Sequence, residues 1–181
     1  MKTWKAAVYL ALAAIFVEAL GAARSDDLFV QKRAFALTLP SGYSPFTKQV
    51  QKAASPDGEI VTTNWVSKAP TGEAIIVTMS SMPAKILEPQ KLFAGARASL
   101  LKTLGATLES ETARPGDTAS VRLLFRSDRA FFRARFIVEG DRFYELLHVG
   151  RSAEQRNAEA VGQLFESFRI SSPAPATIPP A

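Results

Sequence analysis

His148 stands between Leu147 and Val149 in an apolar run and is the single imidazole of the chain. A hydrolase triad needs a general base held beside its nucleophile, and no Gly-x-Ser-x-Gly elbow accompanies this histidine. Its setting is that of a packed strand residue rather than a catalyst. The chain has no cysteine, which excludes disulfides, thiolate metal sites, a cysteine nucleophile and an acylated N-terminal cysteine anchor. Zinc would then need carboxylates as most of its ligands, an uncommon arrangement. For calcium the closely spaced acids are Asp26-Asp27, Glu109-x-Glu111 and Glu139-Gly140-Asp141, none of which matches an EF-hand loop. Neither a Gly-x-Gly-x-x-Gly nor a Walker-type phosphate loop occurs, and no carboxylate pair is marked out for glycoside cleavage. The expectation is a protein that is not an enzyme and carries no metal or cofactor.

One constellation stands out from this background. Arg122, Arg126, Arg129, Arg133, Arg135 and Arg142 fall within 21 residues. If Asp128 and Arg129 form a two-residue hairpin loop, Val121, Leu123 and Phe125 lie opposite Phe136, Ala134 and Phe132 on a core face. Arg122 then opposes Arg135, and Leu124 opposes Arg133, on the other face. Like charges directly opposite each other are destabilising, so this face needs acidic partners or a ligand. Glu109, Glu111 or Glu145 could supply carboxylates from neighbouring strands, each exposed pair contributing ~0 to 1 kcal/mol. The alternative is a recognition surface in which Arg122, Arg126, Arg133 and Arg135 bind a carboxylate- or phosphate-bearing partner, because the planar guanidinium makes bidentate contacts with either. Leu124 and Ile137 would add the apolar component of a protein interface. A lipid head group or an acidic glycan would be the small-partner form. Tyr43 and Trp65 read either as core packing or as a binding platform.

The elements that must position these side chains follow from periodicity. Phe35, Leu37 and Leu39 alternate with Ala36 and Thr38 and end at Pro40, giving a strand followed by a turn at Ser41 to Pro45. Strands over Ile60 to Val66 and Ala74 to Ser81 flank the Ala69 to Gly72 turn as a hairpin. Pro89 opens a helix whose apolar face is Leu92, Phe93, Ala96, Leu100 and Leu104 and which Gly105 closes. Thr107 to Thr112, Ala119 to Arg126, Phe131 to Val138 and Phe143 to Val149 make four strands of a meander. A last helix starts at Ser152 with Gln155 in capping-box position and runs to about Phe168. The fold class is α+β, an antiparallel sheet of about six to seven strands packed against two amphipathic helices.

The ends of the chain carry different signals. Met1 to Lys5 is basic, Ala6 to Val17 is an apolar run of twelve residues, and Gly21 and Ala23 are the small residues a signal peptidase needs. A secretory signal over 1–23 with cleavage after Ala23 follows. Glu18 and an imperfect cleavage box keep an uncleaved anchor as the alternative. The run is too short to span a ~30 Å hydrocarbon core, which takes roughly 20 helical residues. The domain therefore occupies 24–170, and the proline- and alanine-rich stretch 171–181, which has no charged side chain, reads as a disordered tail. Removing Lys2, Lys5 and Glu18 leaves 20 basic and 16 acidic residues, a surplus too small and spread out for a nucleic-acid binder. At 47% apolar and 22% charged residues the chain can bury a core. Its Ala- and Arg-rich composition suits a bacterium of high GC content.

The Phe-x-Leu-x-Leu-Pro-x-Gly-Tyr run from Phe35 to Tyr43, the hairpin, the helix, the antiparallel strands and the closing helix with Phe165-Glu166-Ser167-Phe168 resemble the PsbP/Mog1 fold family from about Phe35 to Ile170. The resemblance implies an antiparallel sheet flanked by helices. It also implies a non-catalytic accessory role, as in a lumenal subunit of photosystem II, a partner of the Ran GTPase, or bacterial envelope proteins of obscure role. It transfers no functional residue. The expectation is an exported accessory protein in the periplasm or secreted, binding an envelope protein through its arginines. A carrier of a lipid or small anionic ligand is the alternative.

Overall fold

The computed structural model describes residues 27–31, 35–55, 57–83, 88–113 and 119–170. The expected signal segment 1–23 and tail 171–181 lie outside these residues. Among the described residues ten strands and three helices follow one another as β1 (Asp27–Gln31), β2 (Phe35–Leu39), β3 (Thr47–Ser55), β4 (Gly58–Lys68), β5 (Ala74–Ser81), α1 (Pro89–Leu104), β6 (Thr107–Ala113), β7 (Ser120–Arg126), β8 (Phe131–Glu139), β9 (Arg142–Gly150), α2 (Ala153–Asn157), α3 (Glu159–Ser167) and β10 (Arg169–Ile170). The architecture is α+β, as the periodicity predicts.

A seven-stranded sheet in the order β3-β4-β5-β9-β8-β7-β6 is antiparallel throughout. The predicted hairpin is β4–β5 and the predicted meander is β6 to β9. Pairing of β9 with β5 joins the two, with Ala74 opposite Val149 and Ser81 opposite Arg142. A second sheet, β1-β2-β10, is smaller. Three strands have no counterpart in the sequence reading. β3 is a polar stretch with one large apolar residue, β10 has two residues, and β1 falls in what reads as a polar start. Their backbones are organised by pairing with a neighbour that has its own hydrophobic pattern, so composition carries little trace of them.

Both faces of the large sheet are covered, so its central strands read as long apolar runs. On one face α1 lays Leu92, Phe93 and Leu100 over Val121, Leu123, Phe125, Phe136 and Phe143. The Phe93 ring sits 6.4 Å from both Phe136 and Phe143. Pro89 occupies the first turn and Gly105 ends the helix in the left-handed region at φ 57°, as its sequence position predicts. On the other face Phe35, Leu37 and Leu39 of β2 join Val161, Leu164 and Phe165 of α3 over Trp65, Ile75, Val77, Tyr144 and Leu146. Each of these large side chains contributes about 1.5 to 3 kcal/mol on burial. Trp65 is 2% exposed and meets Phe35 edge-on at 4.9 Å, so it is core packing rather than a platform.

The single closing helix expected from Ser152 to Phe168 is two helices. Ser152 caps α2 as predicted, its Oγ accepting from the Gln155 amide at 3.3 Å. Gln155 Oε1 accepts from the Arg151 amide at 2.6 Å. The break falls at Ala158, whose ψ of 144° is extended. The two halves serve different surfaces: α2 packs on β8 and β9, and α3 packs on β2.

Candidate functional site

The β7–β8 hairpin has the predicted register, with Arg122 opposite Arg135, Leu124 opposite Arg133, and Val121, Leu123 and Phe125 opposite Phe136, Ala134 and Phe132. The arginine face differs from expectation in one respect: it is not an open sheet surface, because α3 crosses it and the second core occupies its inner part. Ile137 is 8% exposed and belongs to that core, which leaves Leu124, half-buried, as the apolar neighbour of the arginines.

The juxtaposed arginines are relieved mainly by α3. Arg122 Nη2 lies 2.8 Å from Glu166 Oε1, with 38% and 56% of the two side chains exposed. Arg135 donates from Nε to Ser120 Oγ at 3.3 Å and from Nη1 to the Phe165 carbonyl at 3.4 Å. Arg169 Nη1 donates to the Glu166 and Phe168 carbonyls. Helix α3 has no basic residue in its own last turn, so these two guanidiniums satisfy carbonyl groups at the end where the helix dipole is negative. Arg133 stacks its guanidinium 4.9 Å from the Phe165 ring, and its Nη1 runs past Gly162. Desolvation lowers the pKa of Arg133 below the ordinary arginine value, and Arg122 and Arg156 lower it further while Glu166 opposes them. The local field is positive.

Arg126 lies at the rim, 62% exposed, with Nε 3.3 Å from Glu109 Oε1. The other oxygen of Glu109 receives Arg156 Nη1 from α2. Arg156 is 7% exposed overall, and its guanidinium also reaches the Phe125 carbonyl at 3.5 Å and stacks 5.5 Å from the Phe131 ring. Of the three acids expected to serve the arginines, only Glu109 does so in the described ion pairs. Glu111 pairs with Arg97 of α1, and Glu145 points to the α1 face, between Thr78 of β5 and Phe136 of β8. Glu166 and Arg156 are the members that sequence reasoning missed. Arg129 lies exposed in the hairpin turn, and Arg142 stands opposite Glu139 at the far end of β9, with Nε 3.7 Å from Asp141. The structure thus brings Arg122, Arg133 and Arg135 together around α3, places Arg126 beside them at the rim, and leaves Arg129 and Arg142 outside.

His148 occupies a separate, buried cluster. It is 0% exposed, with Nε2 3.3 Å from Glu73 Oε1 and 3.2 Å from the Tyr43 hydroxyl. Thr71 Oγ1 donates to the second oxygen of Glu73 at 2.7 Å. Desolvation lowers the histidine pKa, Glu73 opposes it, and Arg133 across the strand lowers it again. Desolvation and Glu73 raise the Tyr43 hydroxyl far above its ordinary value. Nδ1 is buried without a hydrogen-bond partner. This cluster ties the loop after β2 and the turn before β5 to β9. Among the described residues no group of three or more acids and histidines could hold a metal ion, and no helix is long and apolar enough to cross a membrane.

No protein-family model and no curated protein matches the chain. Among solved structures, the solution structure of cyanobacterial PsbP (CyanoP) from Synechocystis sp. PCC 6803 is similar with a TM-score of 0.57 at 13% identity, covering 86% of this chain and 98% of that one. The crystal structure of PA94, a Pseudomonas aeruginosa protein of unknown function, aligns over 84% of this chain and all of its own at 16% identity. Its TM-score of 0.41 is too low to carry an argument.

Proposed function

From the PsbP/Mog1-like fold of this chain we propose that it is an exported, non-catalytic accessory protein of a bacterial envelope that binds an acidic surface of a protein partner through the arginines beside α3. The observation that carries this reading is the excess of guanidinium over carboxylate at one place. Arg122, Arg126, Arg133, Arg135 and Arg156 gather around Glu109 and Glu166, and burial, followed by the charges of Arg122 and Arg156, works against the charge of Arg133. Carboxylates on a partner would lower that electrostatic cost and gain charge-assisted hydrogen bonds. Arg122 and Arg126 are the contact residues, because both keep substantial exposure. Arg133 and Arg135 set the potential while holding α3. In this reading His148 is a structural group, since it is fully buried and its Nε2 is taken up by Glu73 and Tyr43.

The test is in-cell crosslinking and affinity capture from the envelope fraction with wild type and with Arg122→Glu/Arg126→Glu. Arg135 is left intact, because its replacement would strip the Phe165 carbonyl at the end of α3. The expected outcome is one reproducible protein partner whose recovery falls at least tenfold in the double variant, with the circular dichroism spectrum and melting temperature kept. Equal recovery by the folded variant removes this surface as the contact.

A further inference from the structure

The large sheet ends on two unlike edges. At one end β6 carries an irregularity between Leu108 and Ser110, and its acids are committed, Glu109 to Arg126 and Arg156 and Glu111 to Arg97. Bulged edges with engaged charges pair poorly with another strand. At the other end β3 pairs with β4 in unbroken register over its nine residues, from Thr47 opposite Val66 to Ser55 opposite Gly58. It has no proline and no described strand on its outer side. Every residue of β3 is exposed or half-exposed. Half of its backbone amides and carbonyls therefore face outward, a template for one more strand.

The side chains restrict what that strand can be. Lys48, Val50 and Lys52 stand on one face, opposite Trp65, Thr63 and Val61, and Gln49 and Gln51 stand on the other, opposite Asn64 and Thr62. Val50, at 53%, is the one large apolar residue exposed among those described. A second copy of β3 fits badly: antiparallel pairing centred on Val50 would set Lys48 against Lys52 of the copy, and parallel pairing in register would set each lysine beside itself. Like charges directly opposite oppose the pairing. The lysines therefore guard the edge against self-association while leaving it open to a strand of the opposite sign.

We infer that the outer edge of β3 takes up an extended acidic segment of another protein as an eighth strand. The segment has the pattern acidic, polar, apolar, polar, acidic: one acid meets Lys48, whose ammonium lies 5.8 Å from the Trp65 ring centre, the other meets Lys52 in exchange for its exposed pair with Glu59 at 3.0 Å, its apolar residue meets Val50, and its polar residues meet Gln49 and Gln51. Main-chain hydrogen bonds supply affinity, and the two charge pairs supply specificity. The contact lies on the opposite sheet edge from β6 and uses none of the arginines beside α3, so it stands independently of the function proposed above.

A synthetic peptide, Thr-Glu-Thr-Val-Thr-Glu-Thr, tests this by amide NMR titration of the isotope-labelled mature chain. The expected result is shift changes centred on Thr47–Ser55 and passing into β4, with at least tenfold weaker binding of the peptide in which both Glu are Lys. Lys48→Glu/Lys52→Glu, at two exposed positions, should invert that preference, and Arg122→Glu/Arg126→Glu should leave it unchanged. Equal affinity of wild type for the two peptides, shifts centred away from β3, or loss of the preference in the arginine variant would each overturn the inference.

Discussion

Two single residues pull the pH dependence of this fold in opposite directions. Desolvation raises the Glu145 carboxyl to about 7, on the face where α1 packs. A folded-state pKa above the unfolded value gives stability that is full below the ordinary carboxyl range and is lost as pH rises through about 7. His148 has the reverse sign. Its folded pKa is lowered, so stability is lost as pH falls below the ordinary imidazole value near 6.5, where the unfolded chain takes up a proton that the fold resists. Glu145→Gln removes the alkaline loss and not the acid one. Denaturant unfolding should therefore find the variant more stable than wild type at pH 8, on the order of 1 to 3 kcal/mol, and close to wild type at pH 5. A gain of the same size at both pH values would show that desolvation of a charge is not its source. The identity of His148 as a packed strand residue was legible from its neighbours Leu147 and Val149. Its partners Glu73 and Tyr43 were not, because they come from a turn and a loop that only the closed sheet brings to one point.

Among the elements, α2 depends on one buried arginine. Arg156 links this five-residue helix to three strands through Glu109 of β6, the Phe125 carbonyl of β7 and the Phe131 ring of β8. Neutralising Glu109 leaves that guanidinium buried and uncompensated, which is more costly than loss of an exposed pair. Glu109→Gln should destabilise the protein by on the order of 2 to 3 kcal/mol in equilibrium unfolding. Lys52→Ala, which breaks the exposed pair with Glu59, should cost under about 1 kcal/mol. Equal losses would mean that Arg156 is solvated in the native state. The hairpin register of β7 and β8 could be read from alternation alone, since a slip of one residue would send Val121, Leu123 and Phe125 to the wrong face. The break between α2 and α3 could not. Ser152 to Phe168 has continuous helical spacing, and Ala158 leaves the helix because the two halves dock on different surfaces.

For the whole molecule, the proposal of an exported accessory protein makes a chemical prediction. Expressed in a bacterial host, the protein recovered from the periplasm or medium should begin at Arg24 on N-terminal sequencing. A chain retaining Met1 in the membrane fraction would instead make residues 1–23 an anchor. What the sequence determined by itself is the part of this protein governed by local periodicity: the α+β class, the β4–β5 hairpin, the meander, the ends of α1 at Pro89 and Gly105, and the face on which the arginines stand. Each depends on residues within a few positions of one another, where side-chain period and turn chemistry act directly. Tertiary structure decided which surfaces remain available. It placed α3 across the arginine face, assigned Glu166 rather than Glu111 or Glu145 to that face, buried Arg156 against Glu109, and left β3 as an unbroken edge. These depend on segments far apart in the chain, and polar residues such as those of β3 carry no periodic signal of a neighbour that supplies their pairing.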